Sequence, residues 1–324
     1  MYAVTDGCDC AGQDFPPPRP GAKAATGAYR RPPLLFSWQF DKMGGSRFRR
    51  PLTIGRYDLP KTNPTIKADD RDVAAAWDEN ASTWTTQVRA GHDRTHELFT
   101  SPQFMEFIPD LTGLSVIDLG CGEGRNTRSF TRRGALMTGV DISSLMVELA
   151  RQEEAREPLG IRFEVESSAE LRSFADASFD AAVSTMALMD TADFPAVARE
   201  AFRVIRPRGA FYFSVLHPCF MGRDSTWARD GDGRILGRMV PDYWSDKPYI
   251  EQWGFEDAPP FTIPYFPYRM EDYINGLCAA GFRIERIHEP RPAAALVEAY
   301  PEMAFLAHLR DHNAFVLFVA ARKS

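Results

Sequence analysis

From Leu114 to Leu216 the chain alternates short apolar runs with stretches whose apolar residues recur three and four positions apart. The runs read as strands at Ser115–Leu119, Leu136–Val140, Ile161–Glu166, Phe179–Ser184 and Ala210–Leu216. The spaced stretches read as helices at Arg125–Arg133, Ser144–Glu154 and Phe194–Ile205, with a further short helix after the third strand. Continuous apolar strands joined by helices imply an α/β fold: a doubly wound, mostly parallel sheet covered by helices on both faces. Ligands of such sheets bind at the carboxyl ends of the strands. Later in the chain a helix is expected at Met270–Ala280 and strands at Phe282–His288 and Ala314–Ala321, while Val73 to Leu98 reads as one or two helices ahead of the first strand. Residues 1–65 differ, because Pro16-Pro17-Pro18, Pro20, Gly21, Pro32-Pro33 and Gly44-Gly45 interrupt every apolar run. That segment is expected to be disordered, with the folded domain at 66–324 and Met43 as an alternative start.

The first strand runs into Asp118-Leu119-Gly120-Cys121-Gly122-Glu123-Gly124, and the second ends at Asp141, 21 residues beyond Gly120. Alternate glycines after a buried strand let a ligand approach the backbone where a Cβ would block it. An acid at the end of the second strand can accept both hydroxyls of a ribose. An adenosine-type ligand follows. The nicotinamide fingerprint is the nearest competitor, but it asks for Gly-x-Gly-x-x-Gly and a pyrophosphate. Here the third glycine comes one residue too early, and Asp118 would repel a pyrophosphate.

This loop resembles that of the class I S-adenosylmethionine-dependent methyltransferases, whose first motif is acid-x-Gly-x-Gly-x-Gly and whose second strand ends in an acid. Ser178-Phe179-Asp180-Ala181-Ala182-Val183 is similar to the family's fourth strand, and Val204-Ile205-Arg206-Pro207-Arg208-Gly209-Ala210 to its entry into the fifth. The resemblance implies a Rossmann-like sheet of seven strands, order 3-2-1-4-5-7-6, with the last strand antiparallel. It implies S-adenosyl-L-methionine as cofactor, held by Asp118, Gly120, Cys121, Gly122, Gly124 and Asp141. Ile142 and Met146 would cover the adenine faces, Ser168 and Ala169 its edge, and Met186 would line the pocket. The family commonly has an acid before that alanine, and serine is a weaker neutral acceptor there; Glu170 is a possible substitute. Trp84 and Arg89 are candidates for a lid contact.

Composition narrows the partners. With 324 residues and a formal net charge of -6, the chain gives no electrostatic reason to expect a nucleic-acid backbone as partner. No apolar run is long enough for a membrane span or a secretory signal, and five cysteines without framework spacing fit a reducing cytoplasm. Cys8 and Cys10 lack the second pair a zinc site needs, and no acid cluster with metal spacing follows the fourth strand, so a metal-independent reaction on a small molecule is expected.

Methyl transfer from a sulfonium is chiefly alignment and exclusion of water, and needs a base only if the acceptor loses a proton. Two candidates end strands on the expected side: His217 after the fifth and Asp190 after the fourth. The Pro218-Cys219 pair follows the wrong strand for the cysteine nucleophile of cytosine methyltransferases, and the nucleic-acid and protein-arginine signatures are missing. The interval from Met221 to Tyr268 is too long for a loop. It carries ten aromatic residues: Trp227, Tyr243, Trp244, Tyr249, Trp253, Phe255, Phe261, Tyr265, Phe266 and Tyr268. Residues 217–268 are therefore expected to cover an aromatic-lined acceptor pocket. The alternatives are a binding or regulatory protein that keeps the cofactor loop, and an RNA or protein methyltransferase. The oligomeric state is not legible.

Overall fold

A computed structural model describes residues 63–255 and 258–324. The N-terminal segment, Cys8, Cys10 and Met43 lie outside these residues. Seven strands form the central sheet: β1 (Ser115–Leu119), β2 (Leu136–Asp141), β3 (Arg162–Val165), β4 (Phe179–Thr185) and β5 (Ile205–Leu216), then β10 (Phe282–His288) and β11 (Val316–Lys323). Between β5 and β10 come two antiparallel hairpins, β6 (Thr226–Arg229) with β7 (Ile235–Met239), and β8 (Tyr249–Trp253) with β9 (Phe261–Tyr265). The sheet order is β3-β2-β1-β4-β5-β11-β10; β11 is antiparallel to both neighbours and the other pairings are parallel. This is the expected order.

The central strands are buried on both faces, as their unbroken apolar runs require. Ile117, Leu119, Phe211 and Phe213 pack on one face against α5 (Phe194–Val204) and α6 (Met270–Ala280). Helix α5 buries Phe194, Val197, Ala198, Ala201 and Val204, a single stripe at helical spacing, and starts with the Asp193 carboxylate accepting from the Ala196 N–H at 2.9 Å. Val116, Val183, Tyr212 and Phe318 pack on the other face, against α2 (Ser101–Phe107), α3 (Arg125–Arg132) and α4 (Ser144–Arg156).

The segment after β3 is not the expected helix but a series of three turns. Its backbone groups are satisfied from α5 instead: Arg203 donates to the carbonyls of Leu171 and Phe174, and the Leu171 N–H donates to Glu200. Leu171 and Phe174, spaced like helical core residues, are buried by this clamp without a helix. The region before β1 resolves into α1 (Asp70–Arg89), a single π-helical turn at His96–Thr100, and α2. Two short helices, α7 (Ala294–Ala299) and α8 (Ala304–Asp311), precede β11 and were not legible as helices.

Candidate active site

The carboxyl ends of β1, β2, β4 and β5 open into one cavity of about 1050 Å³, at or above the upper end of the roughly 300–1,000 Å³ usual for one small ligand. Gly120, Cys121 and Gly122 form part of its floor, with Asp141, Ile142 and Met146 after β2 and Met186 and Asp190 after β4. Gly120 has φ +75°, and a Cβ there would lie 2.4 Å from the Ala187 Cβ. The β1 and β4 turns touch, and only glycine fits between them. Replacing Gly120 by Ala is expected to cost about 1–3 kcal/mol from the forced contact, read as a lowered thermal midpoint. At Gly122, with φ +56°, an added Cβ would meet nothing within 4 Å, so here glycine leaves a cradle facing the cavity.

Gly124 does something else. It does not line the cavity; its missing side chain makes room for Phe163, which a Cβ would meet at 2.9 Å. The third glycine thus packs α3 on β3 rather than forming part of the binding surface. Its left-handed φ of +86° also starts α3.

Asp141 is held in place by two backbone donors, Gly122 N–H to one oxygen at 2.8 Å and Ser143 N–H to the other at 2.9 Å. Burial raises its carboxyl above the ordinary range, against the pull of those two amides. Both oxygens keep a lone pair for hydroxyl donors. Beneath it, Asp78 of α1 accepts from the Ser143 hydroxyl at 2.6 Å and the Leu145 N–H at 2.9 Å, tying α1 to the start of α4.

Asp118 lies below the loop and does not line the cavity. Its Oδ2 accepts from the Thr127 hydroxyl at 2.6 Å, while its buried Oδ1 has no partner. Burial pushes this carboxyl up to about 7; the Thr127 bond opposes that and the Asp141 charge adds to it. Burial likewise raises the Cys121 thiol well above its usual range, so it stays neutral.

At the adenine edge, Ser168 lines the cavity and Ala169 does not. The Ala169 N–H is already donated to the Ser167 hydroxyl at 3.1 Å, which removes it as a free donor. Ser167 in turn donates to Asp70 of α1 at 2.6 Å, and both of these line the cavity. Glu170 instead pairs with Arg172 at the surface. Trp84 lines the cavity, whereas Arg89 pairs with Glu123 at 3.2 Å and Glu153 at 3.7 Å outside it.

The two candidate bases separate. His217 is 1 % exposed and away from the cavity lining. Its Nδ1 accepts from the Cys219 N–H at 3.2 Å, so Nε2 carries the proton and donates to Glu289 at 2.6 Å. Burial lowers its pKa, against the Glu289 carboxylate. With both nitrogens engaged in the turn before Pro218, this histidine anchors the end of β5 to the segment after β10, so the structure does not bring His217 together with the cavity-lining residues.

Asp190 does line the cavity, at 7 % exposure, on a short 3₁₀ turn after β4. Its Oδ1 is buried without a hydrogen-bond partner. Burial raises its carboxyl well above the usual range, and the charges of Glu251 and Asp141 add to this. Before that turn stands Met186, with a left-handed φ of +56° that is uncommon outside glycine; its N–H is held by Ser214.

Of the ten aromatic residues in the insertion, only Trp253, Phe255 and Tyr265 reach the cavity. Tyr249, Phe261 and Phe266 are buried in packing, the Tyr268 hydroxyl bridges Phe194 and Thr191, Trp227 packs on His308, and Trp244 is exposed. Glu251 and Trp253 on β8, with Ile263 and Tyr265 on β9, share one side of the hairpin and line the cavity, while Tyr249 and Phe261, on the same side at its two ends, are buried in packing. Alternation within Tyr249–Trp253 was the signal by which Glu251 could have been found. The hairpin is fixed to α1, where Asn80 donates to the Thr262 carbonyl at 3.1 Å and Gln87 to the Pro259 carbonyl at 2.9 Å. Two more wall segments, Ala90 to His96 after α1 and Glu302 to Phe305 at α8, were missed because they lie in irregular backbone. They are joined by the Arg94–Glu302 pair at 2.6 Å.

The sheet order, the glycine cradle and the fixed acid after β2 define an α/β domain that binds an adenosine ligand at its strand ends. Residues 117–213 match the methyltransferase domain family. A crystal structure of an S-adenosylmethionine-dependent methyltransferase from Mesorhizobium loti is 28% identical, with a TM-score of 0.57 over 68% of this chain and 96% of that one. The ubiquinone biosynthesis O-methyltransferase of Xanthomonas oryzae pv. oryzae is 32% identical over 108 residues, 33% of this chain and 45% of its own. The malonyl-[acyl-carrier protein] O-methyltransferase of Pectobacterium atrosepticum is 30% identical over 153 residues, 46% of this chain and 58% of its own. The chain spans about half the length of these two curated relatives. It belongs to the class I S-adenosylmethionine-dependent methyltransferases, and S-adenosylmethionine is its cofactor. No described helix is long and apolar enough to cross a membrane.

Proposed function

We propose that the protein methylates a hydroxyl group of a small molecule, without a metal ion, in the cavity between the glycine loop and the β8–β9 hairpin. The observation that carries this reading is that one cavity joins Gly120, Asp141 and Ile142 to Asp190, Trp253 and Tyr265, so that a cofactor site and an acceptor site share a wall. The names of the two O-methyltransferase relatives favour oxygen as the methylated atom.

Asp141 accepts the ribose hydroxyls, held ready by Gly122 and Ser143. Ile142 and Met146 cover the adenine, and Ser168 meets its edge. Asp70, reaching across from α1 to Ser167, supplies there the carboxylate that the segment after β3 lacks. Gly120, Cys121 and Gly122 offer backbone to the amino-acid end, and the free Oδ1 of Asp118 lies beneath them. When bound, S-adenosylmethionine supplies a methyl group for in-line displacement, its carbon–sulfur bond breaking as the carbon–oxygen bond forms. Asp190 takes the proton leaving the acceptor hydroxyl; a carboxyl whose pKa is raised is the stronger base once ionised. Trp84, Trp253 and Phe255 exclude water around the acceptor.

The test is incubation of the full chain with a host-cell metabolite extract and methyl-labelled S-adenosylmethionine. Label is expected in a low-molecular-weight O-methyl product. Binding of S-adenosylhomocysteine with no label transferred would leave a binding or regulatory protein as the correct reading.

A further inference from the structure

Seven acidic residues line the cavity: Asp70, Asp93, Glu123, Asp141, Asp190, Glu251 and Glu302. Three are neutralised by arginines: Asp93 by Arg125 at 2.8 Å, Glu123 by Arg89 at 3.2 Å and Glu302 by Arg94 at 2.6 Å. Asp141 is held by backbone amides and Asp70 by the Ser167 hydroxyl. Asp190 and Glu251 remain, with no cation within 4 Å among the described residues. Asp190 has a buried, unpartnered Oδ1. Glu251 accepts a 3.2 Å bond from the Asn63 amide at one oxygen and a further bond from the Tyr249 hydroxyl, both of them neutral donors. Arg238, whose positive field acts on Glu251, donates to Ser225 and lies over the Trp227 ring, outside the cavity lining.

Burial disfavours ionisation of both carboxyls, the Glu251 charge adds to this at Asp190 and the Asp224 charge at Glu251, and such a pair is costly without a compensating charge. The wall beside them is aromatic. Trp253 follows Glu251 by two positions on the same face of β8, its ring centroid is 5.3 Å from that of Trp84, and Phe255 lies 5.6 Å from Trp84. Carboxylates together with indole faces recognise an organic cation. A metal ion is the poorer match: among the described residues no group of three or more His, Cys, Asp or Glu side chains is placed to hold one.

We infer that the methyl acceptor carries a protonated amine, bound between Asp190 and Glu251 beside the rings of Trp84 and Trp253. The acceptor is thus an amino alcohol or aminophenol: its ammonium meets Glu251 and one oxygen of Asp190, and its hydroxyl meets the other oxygen. The cation's own field ionises Asp190, so the group that identifies the substrate also prepares the base. This rests on the proposed O-methylation of a small molecule in the same cavity.

The labelled products of the extract experiment are separated on a cation exchanger at pH 5. Label is expected to be retained as a cationic product, and Glu251→Gln to lower its rate of formation at least tenfold at limiting extract, while affinity for S-adenosylhomocysteine stays within twofold. Label in neutral or acidic products overturns the amine assignment and leaves the methyltransferase reading intact. No label at all, with S-adenosylhomocysteine bound, fails the methyltransferase reading first and this one with it. Glu251→Gln weakening S-adenosylmethionine but not S-adenosylhomocysteine would mean that the acid serves the sulfonium, and also overturns the assignment.

Discussion

Replacing Asp141 by Ala is expected to weaken S-adenosylmethionine and S-adenosylhomocysteine binding by about 1.5–3 kcal/mol, the scale of lost charge-assisted hydrogen bonds. In affinity that is roughly 10- to 150-fold. Titration calorimetry of the folded variant measures it directly. The loss has two parts in this structure: the ribose acceptor itself, and the two N–H groups of Gly122 and Ser143 that the carboxylate holds. Asp141→Asn separates them, since the amide keeps one acceptor oxygen but presents an NH₂ to one of the two backbone donors. An intermediate loss is expected for Asn. Unchanged affinity in the Ala variant would remove Asp141 from the ribose site.

The parallel core was legible because its central strands are buried on both faces and its helices on one stripe. Ser115–Leu119, Met270–Ala280 and Phe282–His288 fall where the apolar pattern places them, whereas the fifth strand begins at Ile205 rather than Ala210. Exceptions arose where side chains replaced backbone ladders. Arg203 and Glu200 satisfy the turns around Leu171, and no local pattern announces that two residues on a later helix will do so. The hairpins of the insertion were hidden by their own aromatic content. Buried, exposed and cavity-facing rings alternate there over short runs, so composition indicated a pocket without saying which rings form it.

Within the site, residue type was a good guide to the cofactor floor and a poor one to second contacts. Gly120, Gly122, Asp141, Ile142, Met146 and Met186 all reach the cavity. Gly124 and Ala169 follow the same motifs but are spent on Phe163 and on Ser167. A motif fixes where the backbone runs; what a given amide or Cβ position faces depends on partners from distant elements. Asp70, Asp78 and Glu251 are such partners, more than 60 residues from the elements they serve.

The same dependence on distant partners makes Asp190 the residue whose removal should be most informative. Asp190→Asn is isosteric and leaves the cofactor floor untouched, so S-adenosylhomocysteine affinity is expected to hold while kcat falls by about 10²- to 10⁴-fold, the usual worth of a positioned base. The pH profile carries the sharper test. Because burial, Glu251 and Asp141 all raise this carboxyl, its ionised form is reached only above the ordinary carboxylate range. The kcat/KM of the native protein, which reports the free enzyme, should therefore rise with pH through an inflection displaced upward from the ordinary aspartate value near 4. An uncharged amide cannot titrate, so the Asn variant should lose that limb and show a flat, low rate across the same window. Glu251, pushed up to about 7 chiefly by burial, raises Asp190 when it ionises. In Glu251→Gln the inflection should accordingly move to lower pH, toward the value Asp190 would have without that charge. An inflection that survives in Asp190→Asn would assign the proton to another group, whereas one lost there and shifted downward in Glu251→Gln would identify the two acids as a coupled pair in the acceptor pocket.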